Sequence, residues 1–71
     1  MNEVELIEKI KKKRKDLGLS QMELAEKVGM KRQYIGALEQ GERIPTIKTL
    51  VKICDALGLE VDLKDKDYII S

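Results

Sequence analysis

The sequence predicts a mainly α domain: four short helices followed by a C-terminal β-strand or hairpin. Three observations carry this. Apolar residues recur at helical spacing in four segments, punctuated by Gly18, Gly29, Gly41, Pro45 and Gly58. Within Gln21–Glu39, two of those segments meet at the single Gly29, as two helices crossing at a tight turn do. After Gly58 the period changes to two. A chain of 71 residues has room for one small core. Residues 1–58 are expected to form the helical domain and residues 59–71 an extension.

The first helix is expected to begin after Asn2, with Glu5 as a capping-box partner. Acidic Glu3, Glu5 and Glu8 suit its N-terminal end, and Lys11–Lys15 suit its C-terminal end. Val4, Ile7, Ile10 and Leu17 fall at helical spacing, and Arg14 lies on the same stripe. Gly18 is the terminator. The run KKKRK is spread around the helix by its twist. It reads as a solvated face plus one inward arginine more readily than as a phosphate-binding patch.

Ser20, with Glu23 three residues on, forms a second capping box and starts a helix over about Gln21–Val28. Met22, Leu24, Ala25 and Val28 are its apolar positions. Gly29 permits the positive φ of a sharp turn. A third helix is expected over about Lys31–Glu39, with Met30, Ile35 and Leu38 apolar, and Gly41 follows it. Pro45 forbids helix continuation and holds Ile44 extended. Thr46 caps a fourth helix over about Ile47–Leu57, with Ile47, Leu50, Val51, Ile53, Cys54 and Leu57 apolar.

The tail alternates. Leu59, Val61 and Leu63 interleave with Glu60, Asp62 and Lys64, which is a half-buried strand pattern. Lys64–Asp67 breaks it, and Tyr68-Ile69-Ile70 is a second strand-compatible run. A lone strand or hairpin is unstable by itself. It must pair within the chain or with a second subunit.

Composition excludes several classes. With no histidine and one cysteine, Cys54, there is neither a disulfide framework nor a metal set. No cofactor is expected. No nucleophile–base pair or glycine-rich phosphate loop points to an enzyme. Nothing reaches membrane-spanning length and residues 1–15 lack a signal-peptide pattern, so the cytoplasm is the expected compartment. Net charge is +1, but nine Lys/Arg oppose six Asp/Glu in residues 1–35 and five oppose seven in 36–71. The front half is the more basic, weakly favouring a nucleic-acid face there.

From Arg14 to Leu57 the chain resembles the Cro and lambda-repressor-like, or XRE, family of helix-turn-helix DNA-binding domains. LGLSQMELAEKVGMKRQYIGALEQGERIPTIKTLVKICDALGL carries the resemblance. Ala25 stands where the two helices cross, Gly29 at the turn, and Leu24, Val28, Met30, Ile35 and Leu38 in the five apolar slots. The resemblance implies that the third helix enters DNA. Arg32, Gln33, Gly36 and Ala37 would then meet base edges, and Gln21, Lys31, Tyr34, Gln40 and Arg43 phosphates. It also implies a structural ion pair between Arg14 and Glu39.

The chemistry of these side chains suits those roles. Arginine can grip guanine O6 and N7, and glutamine adenine N6 and N7, each worth about 1–3 kcal/mol of discrimination. Ala37 reaches at most a thymine methyl. Gly36 costs about 1 kcal/mol of helix propensity; either it lets the helix lie close to DNA, the preferred reading, or it has no role in the contact. Cys54, on the apolar stripe, reads as a small core residue.

Many members of this family continue into a fifth helix. Here a strand or hairpin stands in its place, as in HipB-type antitoxins, which implies a homodimer joined through Leu59, Val61 and Leu63. The expected function is a repressor binding a palindromic double-stranded DNA operator, either a phage- or plasmid-type regulator or an autoregulating antitoxin with a cognate toxin. The competing reading is a protein-interaction module that binds a basic partner through the acidic Glu60, Asp62, Asp65 and Asp67.

Overall fold

A computed structural model describes residues 2–64 and 67–71, with residues 63–64 and 67–68 as backbone only. The expected four helices are present: α1 (Glu3–Asp16), α2 (Gln21–Val28), α3 (Arg32–Glu39) and α4 (Ile47–Leu57). Two strands follow, β1 (Val61–Lys64) and β2 (Asp67–Ile70).

Local chemistry sets the helix boundaries. The Asn2 carboxamide oxygen accepts the Glu5 N–H at 2.9 Å. Ser20 and Glu23 form a complete capping box, with the Glu23 N–H donating to Ser20 Oγ at 3.0 Å and the Ser20 N–H to Glu23 Oε1 at 2.9 Å. Thr46 Oγ1 accepts the Thr49 N–H at 3.2 Å. Gly29 ends α2 at φ 70°, a left-handed conformation open to glycine at little cost, and this redirects the chain into α3.

The helices close on one core: Leu6, Ile7 and Ile10 from α1, Leu24, Ala25 and Val28 from α2, Ile35 and Leu38 from α3, and Leu50, Ile53, Cys54 and Leu57 from α4. Burial pushes the Cys54 thiol up to about 11, with the neighbouring Asp55 adding to the shift, so it stays protonated and unreactive at neutral pH.

Several expected apolar positions turn outward. Val4 is 72% exposed and Leu6 is buried in its stead. With 3.6 residues per turn, Leu6, Ile10 and Arg14 line up beside Ile7, and Val4, two residues before Leu6, points away. Leu17 lies beyond the last residue of α1 and is exposed, as is Met22 on α2. On α4 the inward stripe is Leu50, Ile53, Cys54 and Leu57, which leaves Ile47 and Val51 on an outer flank.

The C-terminal strands pair with each other. The antiparallel register sets Val61 opposite Ile70 and Lys64 opposite Asp67, and Glu60 and Ser71 exchange backbone hydrogen bonds at the base. Ile70 is fully buried and Leu59 nearly so, both within the helical core. Two features of this hairpin concern the residues expected at a subunit contact. Leu59 is a core residue of its own chain, because the Leu59 N–H bonds back to the Cys54 carbonyl and folds the side chain under α4. One edge of β1 is already occupied by β2, and the half-buried Val61 packs against the core of its own chain. The Leu63 and Asp67 side chains, and the whole of Asp65, lie outside the described residues.

Leu6→Ala is expected to cost about 2–5 kcal/mol through the cavity it leaves. Val4→Ala should change stability by less than about 1 kcal/mol. Urea denaturation of the two variants at low protein concentration checks the inward register of α1.

Candidate nucleic-acid interface

Helix α3 lies on the core through Ile35 and Leu38, both fully buried, which turns Arg32 and Gln33 to solvent and leaves Gly36 and Ala37 half-buried. Its N-terminus differs from the other three in lacking a side-chain cap. Lys31 occupies the cap position with no side-chain hydrogen bond, and the first turn carries no acidic residue. The positive end of the helix dipole is therefore open, beside the cations of Lys31 and Arg32, and is suited to a phosphate.

The C-terminus of α3 is held firmly. Arg14 Nε donates to Glu39 Oε2 at 2.6 Å, and Arg14 Nη2 donates to Glu39 Oε1 at 3.0 Å. The third guanidinium nitrogen, Nη1, donates to the Leu19 carbonyl at 2.6 Å. Gln21 Nε2 adds a hydrogen bond to Glu39 Oε1 at 3.1 Å. Arg14 is 7% and Glu39 6% exposed, so the two-pronged pair is shielded from water. No buried side-chain nitrogen or oxygen among the described residues lacks a partner. Burial pushes the Glu39 carboxyl up, but the hydrogen bonds from Arg14 and Gln21 and the charges of Arg14 and Lys11 outweigh it, and the net shift is downward.

Gln21, a candidate phosphate contact, is thus also a brace for α3. A carboxylate only accepts, so the Gln21 nitrogen must face Glu39. One N–H and the amide oxygen remain for another partner. That oxygen lies beside Gly36, 3.7 Å from where a Cβ would stand. Gly36 therefore has ordinary van der Waals room for a methyl group on this flank.

The structure sorts the remaining site residues into two rows. Arg32 and Gly36, one turn apart, run along the flank that Gln21 borders. Gln33, Ala37, Lys31 and Tyr34 line a groove closed on its far side by Arg43, Thr46 and Thr49. The Arg43 guanidinium sits over the Tyr34 ring, 5.5 Å from its centroid. Tyr34 also packs on the core, so its ring serves as a shelf for Arg43. Gln40 is exposed at the C-terminal cap of α3 and lines a different groove. Thr46 and Thr49 went unrecognised in the sequence as wall residues of the α3 groove. Thr46 showed its capping role, and Thr49 gave no signal beyond lying three residues later.

This geometry agrees with comparison to known proteins. A family model described as Helix-turn-helix matches residues 10–64. The chain belongs to this XRE-type helix-turn-helix family. A transcriptional regulator of the helix-turn-helix type from Methanothermobacter thermautotrophicus is 51% identical over 51 residues, covering 72% of this chain and 74% of the relative. The regulator YgzD of Bacillus subtilis is 37% identical over 54 residues, covering 76% of this chain and 82% of the relative. The immunity repressor protein of Bacillus phage phi105 is also 37% identical over 54 residues, and there the match spans 76% of this chain and 38% of the repressor.

Two predictions follow from the geometry of α3. Because Glu39 is held below its ordinary value of 4.5, its stabilisation is complete above that pH and is lost as pH falls through the lowered folded-state value. Glu39→Gln should cost about 3–5 kcal/mol at neutral pH by leaving Arg14 buried without its counter-charge. It should also remove part of the acid dependence; Glu23, lowered by the Ser20 backbone N–H and hydroxyl, accounts for another part. Thermal melts of both proteins between pH 3 and 7 check this. Gly36→Ala should stabilise the free protein by up to about 1 kcal/mol, since a methyl group fits and helix propensity improves. If α3 relies on the bare backbone to approach DNA, the same variant binds duplex more weakly.

Proposed function

We propose that this chain is a sequence-specific repressor that binds a palindromic double-stranded DNA operator as a homodimer and blocks transcription by occupying it. One observation carries the proposal. A helix whose inner face is locked to the core presents Arg32 and Gln33 to solvent at an open, cation-flanked N-terminus. In this reading α3 enters the major groove, and Arg32 and Gln33 read base edges, with Gly36 and Ala37 allowing close approach. Lys31, Arg43, Gln40 and the free N–H of Gln21 contact phosphates. Tyr34 supports Arg43, and Thr46 and Thr49 offer hydroxyls on the far wall of the groove.

The phi105 relative favours a phage-type regulator over an antitoxin with a cognate toxin. No helix among the described residues is long and apolar enough to cross a membrane, which suits a protein working on DNA in the cytoplasm.

The test is random-site selection with the purified protein, followed by a salt titration on the selected duplex. Phosphate neutralisation predicts that the logarithm of affinity falls linearly with log salt. Arg32→Ala should lower affinity about 5- to 150-fold and relax preference at one base pair of the half-site. Equal loss on every duplex would remove the base-reading role of Arg32. Salt-insensitive or absent DNA binding, together with capture of a basic protein through Glu60 and Asp62, would favour the interaction-module reading.

A further inference from the structure

The run Lys11-Lys12-Lys13-Arg14-Lys15 is the densest positive charge in the chain, and the interface built around α3 makes no use of its lysines. Folding sorts its members. Arg14 is turned inward, and each of its three guanidinium nitrogens donates a hydrogen bond within the fold. Lys12 donates to Asp16 at 2.8 Å on the outer face of α1. Two residues along a helix turn it by about 200°, so Lys13 leaves on the side away from Lys11 and Lys15. Lys11 and Lys15 stand one turn apart on a common flank. Among the described residues neither forms an ion pair.

That flank adjoins the end of α3. Ile7 and Glu8, in the preceding turn of α1, line a groove whose other wall includes Glu39, Gln40 and Arg43. Lys11 follows them by four and three residues, which sets it on the same side of the helix. It is half-buried, and its charge acts on the Glu39 carboxylate. Gln21 donates to that same carboxylate. Lys15 shares an exposed face with Glu8 and Lys11, and it lies where α1 runs out into the connector that leads to Gln21. A phosphate at the remaining N–H of Gln21 therefore meets the field of Lys11 as well. Arg14, with its nitrogens already engaged, is not the cation that answers it.

We infer that Lys11 and Lys15 form a phosphate-binding extension of the α3 interface, which carries one strand of the duplex backbone across the flank of α1. The inference rests on the DNA-binding reading above and adds contacts outside the two helices that cross at Gly29. Two ammonium groups on flexible stems, one turn apart, suit a ligand that repeats its charge along a strand. They have no planar fork to read a base edge, so they supply affinity and register without sequence preference. The extension has a limit. Toward the start of α1 the groove is bordered by Glu3 and Glu8, which repel a phosphate, so the strand departs beyond Lys11.

The test measures the salt dependence of binding by the full chain to the selected duplex and to a scrambled duplex of equal length. The variants are Lys11→Gln and Lys15→Gln, with Lys12→Gln and Lys13→Gln as controls. All four remove one positive charge from the same helix, so a difference between the pairs reports contact and not net charge. Circular dichroism confirms folding, and Lys11→Arg, which keeps the charge, should keep the wild-type slope. Lys11→Gln and Lys15→Gln should each make the slope of log affinity against log salt shallower by about 0.9 and lower affinity about threefold or more on both duplexes. The controls should change the slope by less than about 0.3 on the same scale. Steep wild-type binding with equal slopes for all four variants overturns the inference and leaves the repressor reading standing. A loss at Lys11 or Lys15 confined to the selected duplex also overturns it. A wild type that binds neither duplex overturns both.

Discussion

The structure turns on a buried charge pair. Arg14 and Glu39 come from the first and third helices, and neither has appreciable access to water. Such pairs are poor sources of net stability, since desolvation offsets most of the attraction. What this one supplies is direction. The apolar residues of α3 would accept some rotation about the helix axis, because dispersion contacts are not directional. A planar guanidinium engaging both carboxylate oxygens accepts very little. With Gln21 on the same carboxylate and Leu19 on the same guanidinium, α3 is tied to α1, to the start of α2 and to the connector between them. A slip of one residue would rotate Arg32 and Gln33 by about 100°, away from any groove the helix enters. The pair therefore bears on which residues α3 turns to solvent, as well as on whether the domain folds.

The two ends of α3 are treated in opposite ways. Its C-terminal end is closed by the buried pair, and its N-terminal end has no side-chain cap. Asn2, Ser20 and Thr46 show that this chain caps helices where it can. At Lys31 the local rule is broken where a bound phosphate would satisfy the helix end. Places where a sequence departs from its own local consistency are where function is expected to reside. Gly36 is a second such place, a poor helix former in the middle of an eight-residue helix with no steric need for it on the Gln21 side.

Much of this was legible in the chain. Glycines at the ends of apolar-periodic segments gave the helices and the turn, and Arg14 fell on an apolar stripe where an unpaired arginine is not tolerated. The outer turns of helices were not legible. Val4-Ile7-Ile10 and Leu6-Ile10-Arg14 are both acceptable helical stripes, and only the packing of α3 and α4 decides between them. The bond from Gln21 to Glu39 spans eighteen positions and exists only after folding. The tail showed two alternating runs around a polar break. Whether they pair with each other or with a second chain depends on where Leu59 and Ile70 can be buried. Alternation alone carries no such information.

The position of α4 connects these points. One flank of the helix offers Thr49 to the α3 groove, and another leaves Ile47 and Val51 exposed. Its buried stripe is already complete with Leu50, Ile53, Cys54 and Leu57, so the outer aliphatic pair adds nothing to the packing of a single copy. Polar residues at those two positions would serve a monomer equally well and would leave it more soluble. A single helix placed in a groove contacts a short stretch of DNA, and affinity is limited by that area. Joining two copies makes the second helix's binding intramolecular and raises affinity without any new base contact. The gain depends on rigid geometry between the two copies, because a linkage that lets the two helices move independently lowers the effective concentration of the second.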